Sequence, residues 1–254
     1  MFTGVLAGPV SLAPDGPSGA IDIAHDALVV AVGRQARSSG LGLHHAGIDV
    51  DARGFVTVDR RLRTTNARVW AAGDVTTMPQ FTHLAGVHAS VASAHAVLGL
   101  RRAVDLSAVT RVTFTDPEVA AVGAATWSVT GDTARVVTWR HTDVDRAVAE
   151  GRTDGLTRLA LGRHGKVIGA TIVSPRAGEY LAKVTLAVKH GPTATNLVAA
   201  THPYPTYGDG VWNAVISVFE DRLARPGARR VTGALVSALR APREPTTRSD
   251  LARH

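Results

Sequence analysis

The stretch RVWAAGDV, residues 68–75, joins a short apolar run to a Gly73–Asp74 pair. The run predicts a buried strand over 68–72, and glycine followed by aspartate favours a turn at its end. Glycine allows a ligand to approach the backbone closely, and the adjacent carboxylate can accept hydrogen bonds from the hydroxyls of a ribose or a polyol. An ordinary turn without a ligand has the same sequence pattern, so both interpretations stay open at this point.

The segments on either side of this stretch predict a small α/β unit. Apolar residues spaced by three or four predict a helix over 81–100, with Thr82 at its N-cap position. The free N–H groups and the dipole of that helix would favour an anionic group near its start. Upstream, the apolar run 26–32 predicts a strand buried on both faces, and 54–58 predicts a further short β segment.

Beyond residues 101–109, where we expect the main domain boundary, the pattern becomes that of an antiparallel meander followed by helices. The predicted strands are 110–115, 118–122, 134–139, 156–162 and 166–173. The predicted helices are 176–193, closed by Gly191, then 210–224 and 231–240. We expect Trp127, Trp139 and Trp212 to pack in the core of this part, as aromatic side chains usually do.

Composition bounds the function classes. The chain has 254 residues, 45% of them hydrophobic, and no cysteine, which excludes a disulfide, a thiolate nucleophile or a cysteine zinc site. No apolar run is long enough to span a bilayer, so we expect a cytoplasmic protein without a membrane partner. Most of the net charge of +7 comes from arginines after residue 221, which we interpret as a solvated and partly disordered tail rather than a nucleic-acid arm.

Several motifs in the same order resemble the C-terminal half of the pyridine nucleotide-disulfide oxidoreductases, closest in pattern to mercuric reductase and dihydrolipoamide dehydrogenase. They are ALVVAVGR (27–34), TTNARVWAAGD (64–74), PQFTHLAG (79–86), FTDPEVAAVG (114–123) and HPYPT (202–206). The resemblance implies an α/β and α+β fold, in which a partial FAD/NAD(P)-binding Rossmann-like lobe precedes an interface domain with an antiparallel sheet and flanking helices.

The same resemblance implies a division into four parts. Residues 1–35 would be a remnant of an NAD(P)-binding domain, and 36–106 the C-terminal part of an FAD-binding domain. Residues 107–224 would form the interface domain that makes a homodimer, and 225–254 an arginine-rich tail.

The resemblance also assigns cofactor contacts. Gly33 would lie beside the nicotinamide cofactor, NAD(P)H. Gly73 and Asp74 would belong to the FAD site, with the Asp74 carboxylate on the ribityl hydroxyls. Thr82 and His83 would lie at the start of the helix, near the pyrimidine edge of the flavin, where the helix dipole stabilises negative charge on the reduced ring.

Members of the family that reduce disulfides carry a histidine and, five residues later, a glutamate, as an acid–base pair. The corresponding positions here are Tyr204 and Asp209, which resembles mercuric reductase and departs from the thiol-handling pattern. His202 is a candidate substitute for the acid–base group, and a loop histidine next to proline is the alternative. His83, His88 and His95 share one predicted helix without a carboxylate at ligand spacing, so no metal site is expected.

No Gly-rich strand–turn–helix for the flavin pyrophosphate is present in the sequence. We therefore expect a component or truncated form of an FAD-dependent NAD(P)H oxidoreductase, with the remaining contacts supplied by an N-terminal partner chain and with an unidentified electron acceptor. The alternative is a noncatalytic dimerisation module or a degenerate fragment without bound flavin.

Overall fold

The computed structural model describes residues 10–12, 21–23, 26–127, 129 and 134–240. They divide into two compact units, the first ending at Asp105 and the second beginning at Leu106. The strands are β1 Val10–Leu12, β2 Ile21–Ile23, β3 Thr110–Thr113, β4 Glu118–Gly123, β5 Arg135–Arg140, β6 Leu156–Leu161 and β7 Val167–Ser174. The helices are α1 Thr82–Leu98, α2 Asp145–Ala149, α3 Ala177–His190, α4 Ala194–Ala199, α5 Asp209–Ala224 and α6 Pro226–Arg240.

The strand predicted over 26–32 is absent: these residues have no regular secondary structure. Val32 is 95% exposed, and Val29 is also exposed, which contradicts the expectation of a strand buried on both faces. A strand requires a hydrogen-bonding neighbour, and no described segment pairs with 26–32. Among the described residues of the first unit, only β1 and β2, which pair antiparallel, form a ladder.

The stretch 68–75 is extended but does not form a full strand. Trp70 makes an isolated antiparallel bridge with Arg63, and Val56 bridges Thr76 in parallel. The chain then tightens into a 3₁₀ turn over Gly73–Val75. These residues form only single bridges, because each extended segment runs beside its neighbouring segment for one or two residues. The predicted β segments 54–58 and 68–72 are therefore corrected to bridges.

Helix α1 buries an apolar face against these bridges and ends at Gly99, which adopts φ of 67°. Leu84 and Val91 on this helix are buried, as are Leu62 and Val56 in the bridge segments. The helix predicted from the apolar spacing is confirmed, but Thr82 is its first residue and not its N-cap. The N-cap is Phe81, whose extended backbone precedes the helix without a side-chain cap.

The second unit is built on a five-stranded antiparallel sheet in the order β3-β4-β7-β6-β5. The central strand β7 consists mostly of apolar residues and is buried along most of its length. Ile172 on β7 and Leu159 on β6 are completely buried in the core. The five predicted strands and their antiparallel pairing are confirmed, with strand ends within two residues of the expected positions. The strand order is not that of a meander, because β4 pairs with β7 and not with β5.

Helices α3 and α5 cover this sheet. Leu181 and Val184 of α3 and Val211 and Val215 of α5 share one apolar core with the strands. Gly191 closes α3 in the left-handed conformation, as its place after the last periodic residue predicts. The predicted α+β architecture of this part is confirmed.

Two further expectations differ from the structure, and a third falls outside the described residues. Trp127 is exposed and does not pack in the core, whereas Trp139 packs against it. Helix α6 begins at Pro226, five residues before the predicted start, because proline is favoured in the first turn of a helix. The tail expected to be disordered lies, from residue 241 onward, outside the described residues.

No helix of the described part is long and apolar enough to cross a membrane.

Candidate functional site

The Gly73–Val75 turn has a backbone that only glycine adopts easily. Gly73 has φ of 79°, and a Cβ placed on it would lie 3.3 Å from the Cβ of Ala85 on α1. The N–H of Thr76 donates to the Gly73 carbonyl, and the N–H of Val56 donates to the Val75 carbonyl at 2.8 Å. The first turn of α1 therefore packs closely on a turn whose backbone is held from both sides.

His88 reaches this turn from the second turn of α1. Its Nδ1 accepts a hydrogen bond from the Gly73 N–H at 3.1 Å, and the residue is completely buried. Burial lowers the pKa of the His88 ring, while the charge of Asp74 acts in the opposite direction. A neutral ring that accepts at Nδ1 carries its proton on Nε2, and that buried nitrogen has no hydrogen-bond partner among the described residues.

Asp74 is linked to two residues outside the turn. Its carboxylate lies 3.6 Å from the guanidinium of Arg34, and the Arg34 guanidinium also donates to the Gln80 carbonyl. The Gln80 side-chain amide donates to the Asp74 carbonyl at 3.1 Å. The Asp74 side chain is 45% exposed. A carboxylate offers about four lone-pair positions, so one ion pair leaves Asp74 able to accept hydrogen bonds from hydroxyl groups.

Two neighbouring cavities share Arg34 and Gln80 as walls. One, of about 380 Å³, contains Asp74 and Val75 in its lining. The other, of about 490 Å³, contains Gly33 and Phe81. Open space surrounds the position that a Cβ on Gly33 would occupy. The structure thus places Gly33 and Asp74 on either side of one Arg34–Gln80 wall.

Thr82 and His83 begin α1 directly after this wall. The His83 ring stacks on the Phe81 ring with centroids 5.2 Å apart. The region therefore offers a carboxylate that can accept hydrogen bonds from hydroxyl groups, a guanidinium and the start of a helix within one stretch of surface. That combination suits a ligand with hydroxyls and an anionic part, and it points to binding rather than to proton transfer.

The loop 200–208 of the second unit holds the other predicted site residues. The Tyr204 hydroxyl donates to the Asp145 carboxylate, a bond that is the main cause of the raised pKa of Tyr204. Asp209 is buried at the start of α5, where one carboxylate oxygen accepts from the Thr206 N–H at 2.9 Å. The other Asp209 oxygen is buried and has no hydrogen-bond partner in the described part of the chain. Tyr204 and Asp209 are therefore bonded to different groups and not to each other.

His202 is held within its own loop. Its Nδ1 lies 2.8 Å from the Ala200 carbonyl, and its ring stacks on Trp212 with centroids 5.8 Å apart. These contacts fit a structural loop histidine, because the ring nitrogen that faces the carbonyl is engaged as a donor.

A cavity of about 460 Å³ lies beside this loop, with Pro203, Pro205 and Lys183 in its lining. Lys183 donates to the Gly208 carbonyl at 2.7 Å. Burial lowers the pKa of Lys183 to about 8, against the opposing effect of Asp209. No role for Lys183 was predicted from the sequence.

Comparison with known proteins assigns both units to one family. Residues 12–94 match the model of the pyridine nucleotide-disulphide oxidoreductases, and residues 109–215 match the model of their dimerisation domain. The chain belongs to the pyridine nucleotide-disulphide oxidoreductase family. The expectation drawn from the motif order is therefore confirmed.

Within this oxidoreductase family, curated relatives include the mercuric reductase of Streptomyces lividans, 36% identical over 77% of this chain and 42% of that protein. The dihydrolipoyl dehydrogenase of Vibrio cholerae is 33% identical over the same shares. Among solved structures, LpdA from Mycobacterium tuberculosis is similar with a TM-score of 0.69 and 27% identity, over 82% of this chain and 48% of that one. The HOCl-induced flavoprotein disulfide reductase RclA from Escherichia coli, in its Cu(II) complex, gives a TM-score of 0.71 and 25% identity, over 81% and 48%. The chain spans less than half the length of each of these four oxidoreductases.

Three residues that organise the candidate site were not predicted from sequence: Arg34, Gln80 and His88. Arg34 follows Gly33 directly, but its partner Asp74 is forty residues away, so no local spacing signals the pair. His88 falls on the apolar face of α1 at helical spacing from Leu84. A histidine among core positions was the available signal.

Proposed function

We propose that this chain supplies the ribityl side of an FAD site in an NAD(P)H-dependent oxidoreductase. The observation that carries the proposal is the Gly73–Asp74 turn, whose backbone is held by His88 and whose carboxylate remains accessible beside Arg34. The turn lies within the segment that matches the family model.

The residues present fit the group. Asp74 would accept hydrogen bonds from the ribityl hydroxyls, and Gly73 would keep side-chain atoms out of the space beside them. Thr82 and His83, at the start of α1, would lie near the pyrimidine edge, and Gly33 would lie near the nicotinamide. Bound FAD supplies the capacity to take two electrons from a reduced nicotinamide and pass them to an acceptor.

Asp74 alone supports only weak binding. A hydrogen bond to a charged group contributes about 1.5–3 kcal/mol, less than the free energy lost when a ligand gives up its translational freedom. Residues 1–254 contain no Gly-rich strand–turn–helix for the pyrophosphate. We therefore propose that full affinity requires such a motif from a preceding segment or from a partner chain.

The second unit is a dimerisation domain by family, and we propose that it pairs with a second copy of itself. Its loop supports no thiol chemistry: Tyr204 and Asp209 have separate partners, and the chain has no cysteine. Proton transfer to a thiolate is accordingly not part of the proposal, and the acceptor is left undefined. The separate bonding of Tyr204 and Asp209 favours the second candidate, a noncatalytic dimerisation module.

Amide chemical shifts measured during an FAD titration of the whole chain test the flavin proposal, because they detect millimolar affinity. We expect the largest shifts at Gly73, Asp74 and Thr82. Asp74→Asn should weaken binding about tenfold, as loss of a charge-assisted hydrogen bond does. Asp154→Asn removes the same charge from an exposed position of the second unit and should leave binding unchanged.

Shifts that avoid 73–82, or equal binding by wild type and Asp74→Asn, would refute the flavin site and leave the dimerisation module as the remaining function. Sedimentation of the chain as a monomer at all concentrations would refute that module.

A further inference from the structure

Helix α6 exposes apolar side chains that no described residue covers. Val231 is 60% exposed and Leu235 is 58% exposed, although both lie within a regular helix. The preceding helix behaves oppositely, since its Val211 and Val215 are fully buried in the core of the second unit. Arg225, in extended conformation, separates the two helices. Val231 and Leu235 therefore pack little on the rest of the second unit.

These apolar residues and the arginines of α6 lie on different sides of the helix. Val231 and Leu235 are four positions apart and so share a face. Arg229 and Arg230 precede them and, at about 100° per residue, Arg230 lies roughly 140° around the helix from Leu235. Both arginines are exposed.

The charged residues of this segment are all arginines. Residues 225–240 contain no aspartate or glutamate. Among the described residues, no carboxylate forms an ion pair with Arg225, Arg229 or Arg230. A helix with an apolar face next to cationic side chains is complementary to a surface in which an anionic outer layer covers an apolar layer.

We propose that α6 is an interfacial helix that binds this protein to the surface of an anionic lipid bilayer. Its apolar residues enter the boundary between headgroups and acyl chains, and its arginines contact lipid phosphates. A nucleic acid would use the arginines and leave Val231 and Leu235 exposed. A second copy of the helix that covered Val231 and Leu235 would leave the arginines, on another side of the helix, without an anionic partner. The helix lies on the bilayer and does not cross it, consistent with its length of 15 residues.

Flotation of the full chain with vesicles tests the proposal. We expect binding to vesicles of phosphatidylcholine with phosphatidylglycerol, little binding to phosphatidylcholine alone, and weaker binding at high salt. The variant Arg229→Gln with Arg230→Gln should lose at least tenfold in affinity, because each surface-bound arginine contributes roughly fivefold. Leu235→Gln keeps the charge and should also weaken binding severalfold.

The matched control is Arg101→Gln with Arg102→Gln, which removes two adjacent exposed arginines elsewhere in the chain. It should bind like wild type, and circular dichroism should show all variants folded. Equal binding to neutral and anionic vesicles, or equal losses in the two double variants, would overturn the proposal. So would binding to a DNA duplex in place of vesicles, or self-association that Leu235→Gln abolishes while vesicle binding persists.

Discussion

At the scale of single residues, the candidate flavin turn depends on one backbone and one buried ring. Gly73 has a conformation that other residues adopt only with strain, and its N–H is bonded to the neutral His88 ring. The turn thus keeps its shape before any ligand arrives, and Asp74 projects from a backbone that is already fixed. This preorganisation lowers the ordering cost of binding.

Gly73→Ala should destabilise the first unit by about 1–2 kcal/mol, because alanine is strained at positive φ and its Cβ would press on Ala85. Gly86→Ala, in open space on α1, should stabilise by up to about 1 kcal/mol through helix propensity. Urea unfolding of the two variants measures both effects. Equal changes in the free energy of unfolding of the two variants would show that the turn does not need glycine at position 73 to avoid backbone strain.

His141 makes the stability of the second unit depend on pH. It is completely buried, its Nε2 lies 3.0 Å from the Thr157 hydroxyl, and burial lowers its pKa from 6.5 to about 4. The unfolded chain therefore binds a proton more readily than the folded one. Its contribution is fully present above pH 6.5 and is lost as pH falls toward 4, with a slope of at most about 1.4 kcal/mol per pH unit.

Ring resonances of His141 followed by NMR during acidification check this directly. They should stay those of neutral imidazole down to about pH 5. Titration of the His141 ring near 6.5 would contradict the effect of burial.

At the scale of elements, local periodicity predicted the second unit well and the first unit poorly. Strands β3 to β7 and helix α3 carry their pattern within their own residues, so sequence sufficed. The run 26–32 is as apolar as a strand, but a strand exists only with neighbours, and no described segment pairs with it. The pairing of Arg34 with Asp74 likewise depends on tertiary structure, which spacing along the chain does not encode.

Strand β7 depends on a glycine at its closest approach to β4. A Cβ on Gly169 would lie 2.2 Å from the Ala124 carbonyl oxygen, and this backbone cannot move away without breaking the ladder. Gly169→Ala should destabilise the second unit by about 3 kcal/mol. Gly227→Ala, in open space on α6, should be neutral or slightly stabilising. Thermal unfolding separates the two, and an unchanged midpoint for Gly169→Ala would contradict the close packing.

At the scale of the whole molecule, the two units differ in how their backbones are satisfied. In the part of the chain that the structure describes, the second unit has a five-stranded ladder with a buried core, whereas the first has one two-stranded ribbon, isolated bridges and one long helix. Local opening needs less free energy where few hydrogen bonds and buried contacts hold a segment.

Hydrogen exchange followed by mass spectrometry should therefore show faster exchange in 26–81 than in β4, β6 and β7. The protected strands should exchange only on global opening of the second unit. Equal protection in both regions would show that the first unit is as stable as the second.

The central claim is that Asp74 binds the ribityl chain of FAD, and a comparison of two ligands tests it most directly. FAD carries the ribityl hydroxyls, whereas lumiflavin has the same ring system without them. We expect FAD to shift the Asp74 amide and side-chain carboxyl resonances and lumiflavin at the same concentration to leave them unchanged. We also expect Asp74→Asn to abolish the difference between the two ligands. Identical responses of Asp74 to both ligands, or no response to either, would contradict it.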